Sequence, residues 1–199
     1  MTRKIVIFSG ADRVGKTTLI SAMQDYLGEG NSVIVHLSEP PGDQENIFDI
    51  NRDYISAWVA SGKEWLLFDR CYVCSYILEQ FRRNNHGHLD DIIDFELELL
   101  QCSDEFKVVH VGVDRPWSWS ASHHLIELKK LFPTAAPWRI RDEYVARMKE
   151  HKEYYQKLYD FYADTTAFPA IFHSPMEFDD LDLSLRHLCS QLDEIVPNK

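Results

Sequence analysis

The sequence contains no long apolar run, few cysteines and fewer basic than acidic residues, and each shortage excludes a class of protein. No run approaches the roughly 20 apolar residues that a membrane-spanning helix needs. Only four strongly apolar residues lie between Lys4 and Ser9, too few for the core of a signal peptide. Four cysteines in 199 residues are too few for a disulfide scaffold. We therefore expect a soluble, cytoplasmic protein with free, reduced thiols.

The net charge of -11 disfavours large nucleic acids as partners, because contacts from Lys and Arg to phosphates supply most of the affinity for DNA. A local cluster of donors can still bind a small anion. The sequence also has no Ser-His-Asp nucleophile elbow and no H-E-x-x-H zinc motif. Cys71 and Cys74 form a lone C-x-x-C without the second pair that a zinc site needs, so we interpret them as free thiols.

Short apolar runs alternate with helical patterns along the whole chain, which is typical of an α/β fold. The runs predict five strands, at residues 5–8, 33–35, 65–68, 107–113 and 170–172. Helical spacing predicts helices that include residues 72–83, 90–101, 141–163 and 181–192, whereas the stretch between Pro116 and Pro137 has no clean period. Strands that are almost wholly apolar indicate a parallel sheet covered by helices on both faces. Without a repeat or a linker, residues 1–199 are expected to form one domain.

The strongest motif fits G-x-x-x-x-G-K-[ST] at every fixed position and lies between a predicted strand and a predicted helix, the context that this motif requires. It predicts a phosphate-binding loop for ATP that consists of Gly10, Ala11, Asp12, Arg13, Val14, Gly15, Lys16, Thr17 and Thr18. The glycines let the backbone N–H groups turn toward the phosphates, and the following helix adds its positive end. Lys16 would contact the terminal phosphates, and the Thr17 hydroxyl would bind Mg²⁺.

Charged residues follow the predicted strands at the edge where parallel sheets bind their ligands. Asp69 and Arg70 close the third strand. The acid is a candidate for holding Mg²⁺ or orienting a nucleophile, and the arginine is a candidate for clamping an anionic substrate. Glu39 follows the second strand, where it could accept a proton from an attacking hydroxyl or bind a sugar. The alternative for all three is ordinary surface charge.

Two further pairs are candidates for an acceptor site and a lid. Phe48 and Arg52 lie four residues apart on one helix face, where a ring could stack on a base and a guanidinium could donate to it. Without further evidence, a packed Phe48 and a solvated Arg52 explain the pair better than a base-binding site does. Arg139 and Arg141 lie in the irregular part of the sequence after Pro133, where a closing loop could neutralise a phosphoryl group in transfer. Surface charge is the alternative for these two arginines.

Together these segments resemble the thymidylate kinase family of P-loop nucleoside monophosphate kinases over about residues 4–163. The matching pieces are the phosphate loop, Glu39-Pro40, Phe48-Asp49-Ile50-Asn51-Arg52, and Phe68-Asp69-Arg70 followed by Ser75 and Tyr76. The resemblance implies a three-layer P-loop kinase fold with a five-stranded parallel sheet and a helical lid. We place the lid at about residues 132–142.

The resemblance also implies roles for individual residues. Phe48 would stack on a pyrimidine base and Arg52 would hydrogen-bond to it. The acceptor phosphate would be held by Arg70, with Asp69 ordering Mg²⁺ near it. Glu39 and Tyr76 would also contact the substrate. Arg139 or Arg141 would belong to the lid. The sequence departs from the family at Ser38, where Arg is usual, at Cys71, where an aromatic residue is common, and in its few lid arginines.

The sequence therefore predicts an ATP- and Mg²⁺-dependent kinase with a small nucleotide substrate, namely a pyrimidine deoxynucleoside monophosphate such as dTMP or a 5-substituted dUMP. Two alternatives stay open. One is a kinase that phosphorylates a hydroxyl of a deoxynucleoside, or of a modified pyrimidine base such as 5-hydroxymethyluracil in DNA, with Glu39 or Asp69 as the base. The other is a nucleotide-binding module without catalysis. A homodimer is a further expectation from the resemblance.

Overall fold

The computed structural model describes residues 2–37, 46–82, 89–175 and 180–196, with residues 79–82 described by their backbone alone. Strands and helices alternate along the chain, as the sequence predicts. The elements are β1 (Arg3–Ser9), α1 (Lys16–Leu27), β2 (Ser32–His36), α2 (Ile47–Ser61), β3 (Trp65–Asp69), α3 (Tyr72–Arg82), α4 (Leu89–Gln101), β4 (Phe106–Val113), α5 (Trp117–Leu131), α6 (Pro137–Asp164), β5 (Ala170–His173) and α7 (Leu181–Ile195).

The five strands form one parallel sheet in the order β2-β3-β1-β4-β5. The central strand β1 is covered on both faces, and Ile5, Val6, Ile7 and Phe8 are at most 1% exposed, which explains why its sequence is a continuous apolar run. The predicted five-stranded parallel sheet and the α/β class are therefore confirmed.

The register of the sheet brings two loops together at its carboxyl edge. Phe8 of β1 lies opposite Asp69 of β3, so the chain leaves these neighbouring strands at the same level. The loop that begins at Gly10 and the turn that begins at Arg70 consequently emerge side by side. This adjacency places the predicted phosphate loop next to the predicted acceptor arginine.

Helices cover both faces of the sheet in three layers. Side chains alternate along a strand, so Lys4 and Ser9 of β1 point to opposite faces. The Lys4 ammonium contacts the Asp193 carboxylate of α7 at 2.9 Å, whereas the Ser9 hydroxyl lies 3.5 Å from the Cys74 sulfur of α3. Helix α1 packs against α7, and α3 packs against α2 and α6.

The stretch between Pro116 and Pro137, which has no clean period in sequence, contains the helix α5. Its buried positions, Ser120, His124 and Leu128, are mostly polar, while the apolar Leu125 is exposed. An apolar stripe is therefore missing from a helix that nevertheless packs against α6. Helix α6 also begins earlier than predicted, with Pro137 in its first turn, a position that proline tolerates well.

The cysteines and the helices bear on two expectations from the sequence, free thiols and the lack of a membrane span. Cys71, Cys74, Cys102 and Cys189 are free. Among the residues described, no three His, Cys, Asp or Glu side chains are grouped closely enough to hold a metal ion by themselves. No helix in the described ranges is both long and apolar enough to cross a bilayer.

Candidate functional site

The phosphate loop links the end of β1 to the start of α1, and its glycines occupy positions that other residues would strain. Gly10 has a φ of 155°, and a Cβ there would lie 2.7 Å from the Val113 carbonyl oxygen. Gly15 has a φ of 86° and immediately precedes α1. Both conformations favour glycine. The loop can thus turn tightly and present the free N–H groups of the helix start to an anion.

Lys16 is buried beneath this loop. Its ammonium donates to the carbonyl oxygens of Gly10 at 2.8 Å and Ala11 at 2.7 Å. Burial, followed by the nearby positive charge of Arg70, lowers the pKa of Lys16 to about 8. The ammonium is therefore held inside the loop by neutral acceptors, which a phosphate group can replace.

Thr17 and Asp69, the two predicted metal ligands, are in direct contact. The Thr17 hydroxyl donates to Oδ2 of Asp69 at 2.5 Å, and His36 Nδ1 lies 2.8 Å from the same oxygen. Asp69 is 1% exposed, and its Oδ1 has no partner among the residues that the structure describes. A buried carboxylate oxygen without a donor beside a hydroxyl is a donor set that fits Mg²⁺, which prefers oxygen ligands. The metal role of both residues stays a prediction.

Arg70 extends from the end of β3 toward the phosphate loop, where its guanidinium forms an ion pair with Asp12. Burial acts to lower the pKa of Arg70, but the Asp12 carboxylate, helped by Cys74 and Tyr154, outweighs burial and the pKa is raised. Arg70 and Arg13, with φ values of 72° and 63°, are the two non-glycine residues with positive φ in the described ranges. Backbone strain of this kind clusters at functional sites. Arg13 belongs to the phosphate loop, and Arg70 lies beside it.

A cavity of about 460 Å³ opens between the phosphate loop, the start of α3 and the pair of helices α5 and α6. Arginines, histidines and carboxylates make up much of its wall. The lining residues are Gly10, Ala11, Asp12, Arg13, Arg70, Cys74, Leu78, Trp117, His124, Glu127, Arg147, Glu150, His151 and Tyr154. The cavity therefore joins four of the predicted phosphate-loop residues and the predicted acceptor arginine to side chains from the distant helices.

The helical wall of the cavity contains charged residues that the sequence reasoning missed. Glu127 of α5 accepts from Arg13 at 2.5 Å and from Arg147 of α6 at 2.7 Å. The Arg147 guanidinium also lies 3.4 Å from His124 Nδ1. One sequence signal was available: Arg147, Glu150, His151 and Tyr154 follow the i, i+3, i+4, i+7 spacing of one helix face.

His151 and Arg115 are further polar groups near the loop. His151 Nε2 lies 3.1 Å from the Arg115 carbonyl oxygen, while its Nδ1 is buried without a partner among the described residues. The Arg115 guanidinium stacks 4.3 Å from the Trp119 ring, and a Cβ at Gly15 would lie 3.5 Å from its central carbon. Burial lowers the pKa of His151, which favours its neutral form.

The predicted base-binding pair lies away from the cavity. Phe48 is 6% exposed, and its ring centroid lies 5.5 Å from that of Phe95 and 6.2 Å from that of Tyr72. The Arg52 guanidinium pairs with Glu98 at 2.9 Å and with Asp49 at 2.8 Å. Neither residue belongs to the cavity wall as far as the described ranges show. Their roles in base recognition stay predictions.

The other predicted residues are spread over three places. Tyr76 of α3 is half-buried, with its ring centroid 6.1 Å from that of Phe161. Arg139 and Arg141 lie in the first turns of α6, exposed, with Arg139 over the Phe132 ring at 4.9 Å. Glu39 lies outside the described residues. Arg139 lies about 12 Å from Arg147 along the axis of α6. The arginine of α6 that lines the cavity is therefore Arg147 and not one of the two that the sequence predicted.

Comparison with known proteins finds similarity in structure alone. No family model and no curated protein sequence matches the chain. Polyphosphate kinase 2 from Arthrobacter aurescens TC1 matches with a TM-score of 0.65 at 15% identity, over 96% of this chain and 65% of that one. A putative polyphosphate kinase 2 from Pseudomonas aeruginosa PA01 matches with a TM-score of 0.59 at 17% identity, over 100% of this chain and 43% of that one.

This chain therefore spans less than two thirds of the length of both solved structures. A deoxyadenosine kinase from M. mycoides also matches, with a TM-score of 0.49 at 16% identity over 96% of this chain and 99% of that one, but the likeness is too weak to support an argument. At identities of 15% and 17%, similarity establishes architecture. The chain has the α/β fold of the P-loop kinases that it matches.

Proposed function

We propose that the protein is a phosphotransferase that moves the terminal phosphoryl group of ATP to an acceptor that itself carries a phosphate. One observation carries the proposal: Arg13, Arg70 and Arg147 converge on one cavity at the mouth of a phosphate loop. Three guanidinium groups and the Lys16 ammonium exceed what a single triphosphate tail needs, and they suit two phosphate-bearing ligands placed head to head.

The residues would act mainly by alignment and by charge neutralisation. Phosphates of ATP would replace the carbonyl oxygens of Gly10 and Ala11 as partners of Lys16. Thr17 and Asp69 would hold Mg²⁺, which would neutralise charge on the phosphates of ATP. Arg70 would release Asp12 and hold the acceptor phosphate. Residues 132–142 comprise the link between α5 and α6 and the first turns of α6, and they would serve as the lid that excludes water.

A pyrimidine deoxynucleoside monophosphate, dTMP or a 5-substituted dUMP, is the first acceptor that we propose. Its support is the resemblance of the segment that contains Phe48 and Arg52 to the thymidylate kinase family, together with the position of Arg70. For this acceptor to bind as the resemblance implies, Arg52 would have to leave Glu98, an exposed ion pair that contributes little stability. Tyr76 and Glu39 would add contacts to the nucleoside.

A polyphosphate chain is a second candidate for a ligand of the cavity, as donor or as acceptor. Two observations favour it. Two solved structures with this fold, at TM-scores of 0.65 and 0.59, are named polyphosphate kinase 2 and putative polyphosphate kinase 2. The cavity wall is also rich in arginine. One of its aromatic residues, Trp117, is already stacked on the His124 ring at 4.6 Å, which leaves less room for a base.

Two other functions are weaker candidates. A hydroxyl acceptor would need Asp69 or Glu39 as a base. Asp69 already contacts Thr17 and His36, which suits a metal ligand better than a base. A nucleotide-binding module without catalysis would explain the loop, but it would not explain the arginines opposite it. A homodimer is also proposed, and the exposed apolar residues Leu89, Ile93 and Leu97 on α4 offer a surface for it.

The test is a panel of acceptors incubated with Mg²⁺ and ATP labelled in its terminal phosphate. The panel contains dTMP, 5-hydroxymethyl-dUMP, thymidine, DNA with 5-hydroxymethyluracil, and polyphosphate. Label on the phosphate of a nucleotide, or on a phosphate chain, supports the proposal and identifies the acceptor. Label on a hydroxyl supports the alternative with a carboxylate base. Binding of ATP without transfer to any compound contradicts a kinase function for this panel.

A further inference from the structure

One carboxylate bridges the two sides of the cavity. Glu127 accepts from Arg13 of the phosphate loop through Nη2 at 2.5 Å and Nε at 3.2 Å. It also accepts from Nη1 of Arg147 at 2.7 Å. We call these three residues the Glu127 clamp. The clamp joins the phosphate loop to α5 and α6, two helices that are distant from the loop in sequence.

The arrangement of the clamp imitates a bound phosphate group. Two guanidinium groups converge on the oxygens of one anion, which is how arginines bind phosphates. All three residues line the same cavity as Arg70 and the start of the phosphate loop. A carboxylate that belongs to the protein thus lies where the anionic part of a ligand would be attracted.

The contacts of the clamp are weak enough to be exchanged. The side chains of Arg13, Glu127 and Arg147 are 43%, 32% and 28% exposed. Ion pairs with this access to water contribute little stability and are screened by salt. A phosphate group carries more negative charge and more acceptor oxygens than a carboxylate, so it can displace Glu127 from both guanidinium groups.

The charge state of Glu127 is suited to this competition. Burial acts to raise the pKa of its carboxyl, but the hydrogen bonds and charges of Arg147 and Arg13 outweigh burial and the pKa is lowered. Glu127 is therefore ionised at neutral pH. Arg70 shows a similar arrangement, because its guanidinium is paired with the Asp12 carboxylate.

We propose that Arg13 and Arg147 form a phosphate subsite and that Glu127 occupies it as an internal competing anion in the unliganded protein. The proposal rests on the proposed function for the identity of the ligand, a phosphate group of the donor or of the acceptor. Displacement of Glu127 would free Arg147 to contact the ligand. The same step would release the tie between the phosphate loop and the two helices.

The experiment measures binding by titration calorimetry, without turnover, in the full chain at low salt. The ligands are a non-hydrolysable ATP analogue with Mg²⁺, dTMP and inorganic tripolyphosphate. Glu127→Gln keeps the shape of the side chain and removes its charge. We expect the variant to bind at least one of these ligands about fivefold more tightly than the wild type. Arg147→Ala should weaken binding of the same ligand by about tenfold.

Controls separate this effect from a general change in charge or in folding. Glu153→Gln changes the net charge equally on the exposed part of α6 and should leave every Kd within about twofold. Glu127→Ala serves as a second variant, and melting temperatures of all variants verify that they fold. Tighter binding of the analogue assigns the subsite to the donor, and tighter binding of dTMP assigns it to the acceptor. Unchanged or weaker binding of all three ligands in both Glu127 variants would contradict the proposal that Glu127 competes with a phosphate group for Arg13 and Arg147.

The failure of this proposal and the failure of the proposed function give different results. If Glu127→Gln binds a ligand more tightly but no acceptor in the panel is labelled, Glu127 competes for the subsite and the proposed kinase function is wrong. Transfer in the panel together with unchanged affinities would support the kinase and reject the clamp.

Discussion

Two buried carboxylates occupy different regions of this protein, and their hydrogen bonds differ. Glu96 of α4 is 2% exposed, and it accepts from the Tyr72 hydroxyl at 2.8 Å, the Thr166 hydroxyl at 2.9 Å and the Ala167 N–H at 2.7 Å. Asp69, at the carboxyl edge of the sheet, is 1% exposed, and its Oδ1 has no partner within the described part of the chain. One carboxylate is saturated with donors, whereas the other keeps an oxygen available.

The difference separates a region that stabilises the fold from the site that we propose to bind ligands. Burial acts to raise the pKa of Glu96, but donors from His110, the Ala167 N–H and Tyr72 outweigh it and the pKa is lowered. These donors come from β4, from α3 and from the loop before β5, so Glu96 joins elements that are far apart in sequence. A buried oxygen without a donor is costly. Asp69 therefore fits a site that is completed by a ligand.

The largest expected effect concerns the edge of the sheet. Lys16→Ala should lower kcat for phosphoryl transfer by about 1,000-fold, because an ammonium aimed at the phosphates is lost. Its melting temperature should not fall, since the removed group is a charge buried against carbonyl oxygens. Steady-state kinetics and thermal melts measure the two quantities. Near-normal turnover would contradict the assignment of Lys16.

Asp69→Asn should lower kcat/KM by about 100-fold, because the neutral amide binds metal poorly. The concentration of Mg²⁺ that gives half-maximal activity should rise in parallel, while the melting temperature stays close to that of the wild type. Metal titrations of activity measure this change. If activity fell at every Mg²⁺ concentration by the same factor, a role in metal binding would be excluded.

Glu96→Ala should reduce stability and leave activity unchanged, which is the opposite of what we expect for Asp69→Asn. It should lower the free energy of unfolding by about 3 kcal/mol, because it leaves several buried donors without an acceptor. Turnover per folded molecule should not change. Urea unfolding compared with Glu98→Ala on the same helix, an exposed ion-pair residue, provides the control, for which we expect a loss below about 1 kcal/mol. Equal losses in both variants would remove the distinction between the two regions.

Arg70→Ala should raise the KM of the acceptor by about 30-fold and leave the KM of ATP within about twofold, because charge-assisted hydrogen bonds to the acceptor phosphate are lost. Initial rates with each substrate varied in turn measure both constants. Equal increases in the two constants would place Arg70 outside the acceptor site.

The smallest expected effect is a pH dependence. The pKa of Lys16 is lowered to about 8, so the protein loses this charge as pH rises through 8, before an unfolded chain would. Binding of a phosphate requires the ammonium, and the Kd of an ATP analogue should therefore rise by about tenfold between pH 7 and pH 9. Lys16→Arg, which does not titrate in this range, should give a flat profile. A parallel rise in this variant would assign the titration to another group.

Prediction from the sequence succeeded where structure is local. The central strands β1, β3 and β4 are short apolar runs because they are largely buried. The glycines of the phosphate loop occupy positive-φ positions that the local motif already indicates. The pairing of Thr17 with Asp69 is a borderline case: the motif and the strand end are visible in sequence, but the 2.5 Å contact depends on the parallel pairing of β1 with β3.

Prediction failed for α5 and the charged wall of the cavity. The buried positions of α5 include Ser120 and His124, so its apolar pattern gives no helical period. Arg147 and Glu127 are twenty residues apart and acquire their partners only because α5 and α6 lie side by side. The predicted lid arginines, Arg139 and Arg141, lie on the same helix, but in the described part of the chain the cavity wall contains neither of them.

The sequence by itself determined the strand segments, the phosphate loop and the charged residues that follow the strands, because apolar runs and the glycine motif are patterns within a few neighbouring residues. Only the tertiary structure decided which arginines face the cavity, which carboxylate is saturated and which one keeps a free oxygen. These choices depend on contacts between residues far apart in the chain, for which a single sequence contains no periodic signal.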